Sequence, residues 1–125
     1  MPEPKVGAIC WQDLTVPHAA EIRDFYSSVV GWGFQAESMG DYEDYSMLPP
    51  GETTPVAGIC HQRGCNAEVP SQWLLYILVE DVTGAVERAR SRGGRVLDGP
   101  REMGDGKFSV IQDPAGAVFA VYSSG

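Results

Sequence analysis

The sequence predicts an α+β fold of two βαβββ modules in tandem, and three observations carry that prediction. The first is an internal repeat. Residues 14–31 place Leu14, Val16, Ile22, Phe25, Tyr26 and Val29 ahead of Gly31, and 63 positions further on residues 77–94 place Ile77, Val79, Ala85, Val86 and Ala89 ahead of Gly93 and Gly94. Each copy is a short apolar run, as a strand needs, feeding apolar residues at i, i+3, i+4 and i+7, the spacing of one buried helix face. The second observation is that the same offset pairs residues 45–49 with 108–112 and 54–59 with 117–122, two further strand-like stretches in each half. The third is length: at 125 residues the chain has the size of one domain, and such a chain buries about two-thirds of its unfolded surface. Residues 1–125 therefore read as a single domain, with module 1 at 6–61, a linker at 62–72 and module 2 at 73–123. Two copies packed face to face enclose a concave surface, whereas either alone leaves its sheet half exposed.

Each element has a local cause. The first strand is expected over residues 6–14 and the first helix over 17–30, with Pro17 in its first turn and Gly31 stopping it. Strands follow at 32–39 and 42–48, and Pro49-Pro50-Gly51 turns the chain into a fourth strand at 54–61. The polar stretch 62–72, with Gly64, Asn66 and Pro70, is the linker. Residues 73–79 are so continuously apolar that the strand is expected to be buried on both faces. Asp81 or Thr83 caps the second helix and the Gly93–Gly94 pair ends it. Residues 99–106, with three glycines and Pro100, read as a flexible segment and a candidate lid. Asp113-Pro114-Ala115-Gly116 makes the last turn, before a final strand at 117–122.

Composition excludes several function classes. A net charge of −8 repels phosphate backbones, so nucleic acid is not an expected partner. Arg88, Arg90, Arg92 and Arg95 surround the buried stripe of the second helix near its C-terminus, where the helix dipole favours cations, and read as a solvated face. No apolar stretch approaches the ~20 residues of a membrane span, so no membrane is expected. The start of the chain, residues 1–5, lacks the basic and apolar regions of a signal peptide; a cytoplasmic location is the expectation. Cys10, Cys60 and Cys65 are odd in number and read as free thiols, and Cys60-His61-x3-Cys65 has too few ligands for a closed zinc site. With two histidines and no Gly-x-Ser-x-Gly elbow, a hydrolase triad has no support, and Asp41, Glu43 and Asp44 read as solvated turn residues.

Phe25-Tyr26 followed by Val30-Gly31-Trp32, the step Val79-Glu80-Asp81-Val82 into the second helix, and Asp113-Pro114-Ala115-Gly116-Ala117-Val118-Phe119 occur in order and at the repeat offset. In these motifs, over residues 6–122, the chain resembles the vicinal oxygen chelate superfamily of glyoxalase I, extradiol dioxygenases, fosfomycin-resistance enzymes and bleomycin-binding proteins. The resemblance implies paired modules around a U-shaped cleft, often in homodimers, and a homodimer is expected here, with Trp32, Phe34 and Phe119 as surplus apolar residues. It also implies a divalent metal held by residues of the first and last strands of each module. The family's spacing marks Trp11 from His18, Leu74 from Asp81 and Ala120 from Asp113, and the repeat carries Ala120 back to Ala57.

None of these four side chains is a metal ligand. Gln12, Cys60, His61, Glu80 and Gln112 stand nearby, but a one-residue slip turns a strand side chain to the other face. The expectation is thus neither metal nor other cofactor. Trp11 and Leu74 would give bulk, and Ala57 and Ala120 space, to an apolar pocket suited to a small flat ligand. By strand alternation Asp13 joins Trp11, while Tyr76 and Tyr122 join Leu74 and Ala120. Two functions follow as expectations: a metal-free protein that binds or sequesters a small apolar or aromatic molecule, or a glyoxalase-like lyase, isomerase or dioxygenase with a displaced or absent metal site.

Overall fold

A computed structural model describes residues 5–124; the first four residues, on which most of the export reading falls, lie outside it, as do Gly125 and the side chain of Cys65. The chain runs β1 (Ile9–Val16), α1 (Ala19–Val30), β2 (Gly33–Ser38), β3 (Glu43–Leu48), β4 (Ala57–His61), a 3-10 turn at Gly64–Asn66, β5 (Trp73–Leu78), α2 (Val82–Ser91), β6 (Arg95–Met103), β7 (Gly106–Gln112) and β8 (Val118–Ser123). This is βαβββ twice, and the mixed α+β class is as the repeat predicts. In order of hydrogen-bonded neighbours the strands run β2-β3-β4-β1-β5-β8-β7-β6.

The chain divides into two units, each described by itself. One comprises Gln12–Trp73. Its strands lie in the order β2-β3-β4-β1, with β1 parallel to β4 (Asp13 beside Gly58) and β3 antiparallel to both neighbours. One face of this sheet carries Leu14, Tyr45, Met47 and Ile59, which pack with Ala19, Ile22 and Tyr26 of α1. His18 takes a left-handed backbone at φ 57°, so α1 begins at Ala19 and Pro17 stays outside it. Gly31, also left-handed at φ 79°, ends the helix as expected, because only glycine takes that conformation without a Cβ penalty. The apolar stripe of α1 is wider than the face it buries: Ile22 and Tyr26 pack inward, whereas Phe25 and Val29 remain 55% and 61% exposed. Trp32 is not surplus either; it stacks on Tyr26 and meets Trp73 edge-on inside this unit.

The other unit takes residues up to Trp11 and from Leu74 onward. Its strands lie in the order β5-β8-β7-β6, with β5 parallel to β8 (Tyr76 beside Ala120) and β7 antiparallel to both neighbours. Val82 and Val86 of α2 pack on Ile111 and Val121, joined by Phe119, which is thereby part of this core. Asp81 is the cap, its carboxylate accepting from the Gly84 amide at 3.1 Å. The Gly94 amide donates to the Ala89 carbonyl at 2.8 Å just beyond the last turn of α2. The Asp113 carboxylate accepts from the amides of Ala115 and Ala117 and fixes the last turn.

Two expectations fail here. β5 is not buried on both faces: Leu74 and Tyr76 are buried, but Leu75 between them is 44% exposed. Its run is apolar because one face meets the core and the other meets partly covered surface, a distinction composition cannot make. Residues 99–106 are not an unpaired lid. They are the end of β6 and its turn into β7, with Arg101 beside Phe108 and Met103 beside Gly106. Gly99 and Pro100 fall within a shift of register between Asp98 and Arg101, and Gly104 lies in the tight turn that leads into β7.

Candidate functional site: an apolar cavity beside β5 and β8

In the second unit, Val121 belongs to the core under α2, so strand alternation turns its neighbours Ala120 and Tyr122 to the opposite face. Register places Tyr76 beside Ala120 and Leu78 beside Tyr122 on β5, and Val110 beside Ala120 and Phe108 beside Tyr122 on β7. This face is therefore built of aromatic and aliphatic side chains. Leu74 and Ala120 are both 0% exposed. A cavity of about 330 Å³ is lined by Cys10, Trp11, Tyr76, Met103 and Tyr122.

Its surroundings are fixed from several directions. The Tyr76 and Phe108 rings lie 6.2 Å apart, and the Arg101 guanidinium sits 4.3 Å over the Phe108 ring while its Nε and Nη2 both reach the Asp98 carboxylate. Gly106 crosses so near Tyr122 that a Cβ there would stand 2.9 Å from the hydroxyl. Cys10 donates its thiol to the Tyr76 carbonyl at 3.4 Å, and burial pushes its pKa up, so the group nearest to a nucleophile is held as neutral thiol. A space with these walls can enclose a flat, mainly apolar molecule and present it to tyrosine.

Of the residues singled out in sequence, Trp11, Tyr76 and Tyr122 come together around the cavity. Leu74 and Ala120 lie on its face, beneath the surface. Asp13 and Ala57 belong to the other unit. There the Asp13 carboxylate lies against Gly58, and Ala57 pairs with Met47, so Ala57 lies on the α1 face, away from Asp13 and Gly58. The residue beside Asp13 on β4 is Gly58, as Ala120 is beside Tyr76 on β8. The repeat thus slips by one residue at the last strand of each module, and that slip reverses the face assigned to Ala57. Cys10 and Met103 were missed. Met103 was hidden by the lid reading, although its place next to a Gly-Asp-Gly turn marks a hairpin end.

Asp44 is a further correction. It is 6% exposed rather than solvated, accepts from the His61 amide at 2.8 Å, and stands 3.4 Å from His61 Nδ1. Burial first, and then the Asp13 and Asp44 carboxylates, push the Cys60 thiol far up. Asp41 and Glu43 are exposed as expected, Asp41 pairing with Arg63.

A divalent metal of the kind the fold implies finds no ligands here. The positions that would hold it carry Trp11, Leu74, Ala120 and either Ala57 or Gly58, none with a donor lone pair suited to a metal. The nearby polar residues are engaged or turned outward: the Gln12 amide donates to the Val56 carbonyl, His61 faces Asp44, Gln112 donates to the Gly116 carbonyl, and Glu80 is exposed. Among the described residues no three His, Cys, Asp or Glu side chains stand together as a metal site would require.

Residues 8–121 match the sequence profile of the Glyoxalase/Bleomycin resistance protein/Dioxygenase superfamily. The chain belongs to that superfamily. It is 28% identical over 118 residues to a putative glyoxylase, CFP32, of Mycobacterium tuberculosis, aligning 94% of this chain with 44% of that protein. It is 29% identical over 131 residues to the anthracycline biosynthesis protein DnrV of Streptomyces peucetius, aligning 95% of this chain with 48% of that protein. The chain thus spans less than half the length of these superfamily relatives. In fold it is similar to methylmalonyl-CoA epimerase from Mycobacterium tuberculosis, with a TM-score of 0.57 at 17% identity, covering 100% of this chain and 93% of that one. A superfamily member from Vibrio splendidus gives 0.58 at 15% identity, covering 90% and 96%. Among the described residues no helix is long and apolar enough to cross a membrane.

Proposed function

We propose that this superfamily member binds a small, planar, largely apolar or aromatic molecule without a metal, in the cavity lined by Cys10, Trp11, Tyr76, Met103 and Tyr122. The observation that carries the reading is the lining itself: three aromatic rings and two sulfur side chains, with Trp11 at one of the positions where the resemblance implies a metal ligand. Flat rings favour stacked or edge-on contacts with such walls, and Tyr76 or Tyr122 supplies a polar handle. Similarity to a protein named for anthracycline biosynthesis supports an aromatic ligand class. We also infer that the chain acts as a homodimer, since Phe25, Val29, Val30 and Phe34 are each more than two-fifths exposed.

Titration with a panel of planar polycyclic aromatic compounds, followed by indole fluorescence, tests the binding reading. Trp11→Phe keeps most of the stacking surface and should retain most of the affinity, whereas Trp11→Ala should weaken it by about 2–3 kcal/mol. Unchanged affinity in folded Trp11→Ala protein removes this cavity from the reading. Conversion of a bound compound, seen as a product by chromatography, would move the protein from binder to enzyme.

A further inference from the structure

The two sheet edges of this chain are treated differently. β6, at one end of the strand order, carries Pro100, Arg95 and Arg101 and shifts register twice against β7. Proline, charge and bulges are the devices by which an edge avoids pairing with another strand. β2, at the other end, has no proline and no bulge. Its six residues Gly33–Ser38 pair with β3 in unbroken register, every one is exposed, and its single charge is Glu37. Among the described residues no strand lies beyond it, so one row of its backbone N–H and C=O groups has no ladder partner. On the face it shares with α1, Phe34 is 43% exposed beneath the Arg23 guanidinium, which lies 4.2 Å over its ring, and Phe25 and Val29 are exposed on the same helix.

We propose that β2 is the homodimer edge, pairing antiparallel with β2 of a second copy across a two-fold axis at Gln35. This rests on the homodimer reading above and says where that dimer forms. The strand's own sequence argues for a second copy as the occupant. An axis perpendicular to the sheet keeps each face on its own side, so Phe34 and Ala36, which lie beside Met47 and Tyr45, meet residues of the same face. Centred on Gln35, the register sets Phe34 against the partner's Ala36 and Ala36 against the partner's Phe34, large beside small twice over. Gln35 meets the partner's Gln35, two amides able to bond each other. Glu37 meets the partner's Gly33, which keeps the two Glu37 carboxylates about 13 Å apart at the strand rise of ~3.3 Å per residue. Like charges directly opposite would oppose pairing, and this register has none.

The test joins mass measurement to one cysteine. Light scattering of the full chain at micromolar concentration should give twice the chain mass under reducing conditions. Gln35→Cys places two sulfurs on directly opposed residues, whose Cβ separation of ~4.5–5.5 Å approaches that of a disulfide. On mild oxidation it should form a reducible species of twice the chain mass that the parent, with its native cysteines, does not form. Phe34→Lys and, independently, Ala36→Lys should each weaken dimerisation at least tenfold while circular dichroism stays that of the parent. A dimer that neither cross-links through Gln35→Cys nor responds to both lysines overturns the edge assignment and leaves the homodimer reading intact. A monomer at the highest soluble concentration overturns both.

Discussion

Gly106 and Tyr122 stand so close that a Cβ on Gly106 would lie 2.9 Å from the Tyr122 hydroxyl and would also collide with the Ser123 carbonyl. A glycine at the start of β7 therefore sets where one wall of the cavity can be. Gly106→Ala should force Tyr122 or the β7–β8 ladder to move, at a cost of about 1–3 kcal/mol, the scale of overpacking. Thermal unfolding measures the loss, and aromatic-ligand titration should show weaker binding by the folded fraction. An alanine variant with parental melting temperature and affinity would mean that the Ser123 carbonyl and Tyr122 both yield and that Gly106 does not set the wall.

The indole of Trp73 donates to the Tyr26 hydroxyl at 2.9 Å, and both rings pack with Trp32. Tyr26→Phe keeps the packing and strands the indole N–H, so it should cost about 1 kcal/mol in denaturant unfolding. The ligand affinity of the cavity should not change, because these three residues belong to the other unit.

Cys60 gives a pH dependence of defined sign. Its folded-state pKa is raised, by burial and then by the Asp13 and Asp44 carboxylates, so the folded state favours the protonated thiol. That contribution to stability is complete below the ordinary thiol range near pH 8.5 and is lost progressively as pH rises above it, because the unfolded chain then ionises first. Stability should fall on the alkaline side, and Cys60→Ala should flatten the slope. A parent slope equal to that of Cys60→Ala removes the assignment.

Zinc, nickel or manganese added to the purified chain should not raise its melting temperature as a tightly bound native ligand does. The motive is the donor set, since Trp11, Leu74 and Ala120 occupy positions where the fold implies ligands. A rise of several degrees that Gln12→Ala or His61→Ala abolishes would place a metal where the geometry offers no site.

The sequence by itself determined the two helices and the βαβββ order, though not the extent of β6, because repeat spacing, caps and turns are local: Gly31, Asp81 and the Asp113 turn act within a few residues of themselves. The residue types at the positions the resemblance marks, Trp11, Leu74 and Ala120, are likewise plain from the sequence, because they depend on identity alone. Only the tertiary structure decided which face each side chain takes and what covers it. A single-residue slip between β4 and β8 sent Ala57 to the α1 face, and pairing with β7 turned a glycine-rich stretch into the hairpin that carries Met103 to the cavity. Asp44 is buried for the same reason: its carboxylate meets the His61 amide 17 residues away, a contact that exists only once β3 and β4 are paired. A strand's period of two makes its pattern legible but leaves its register, and hence its faces, to the partner strands.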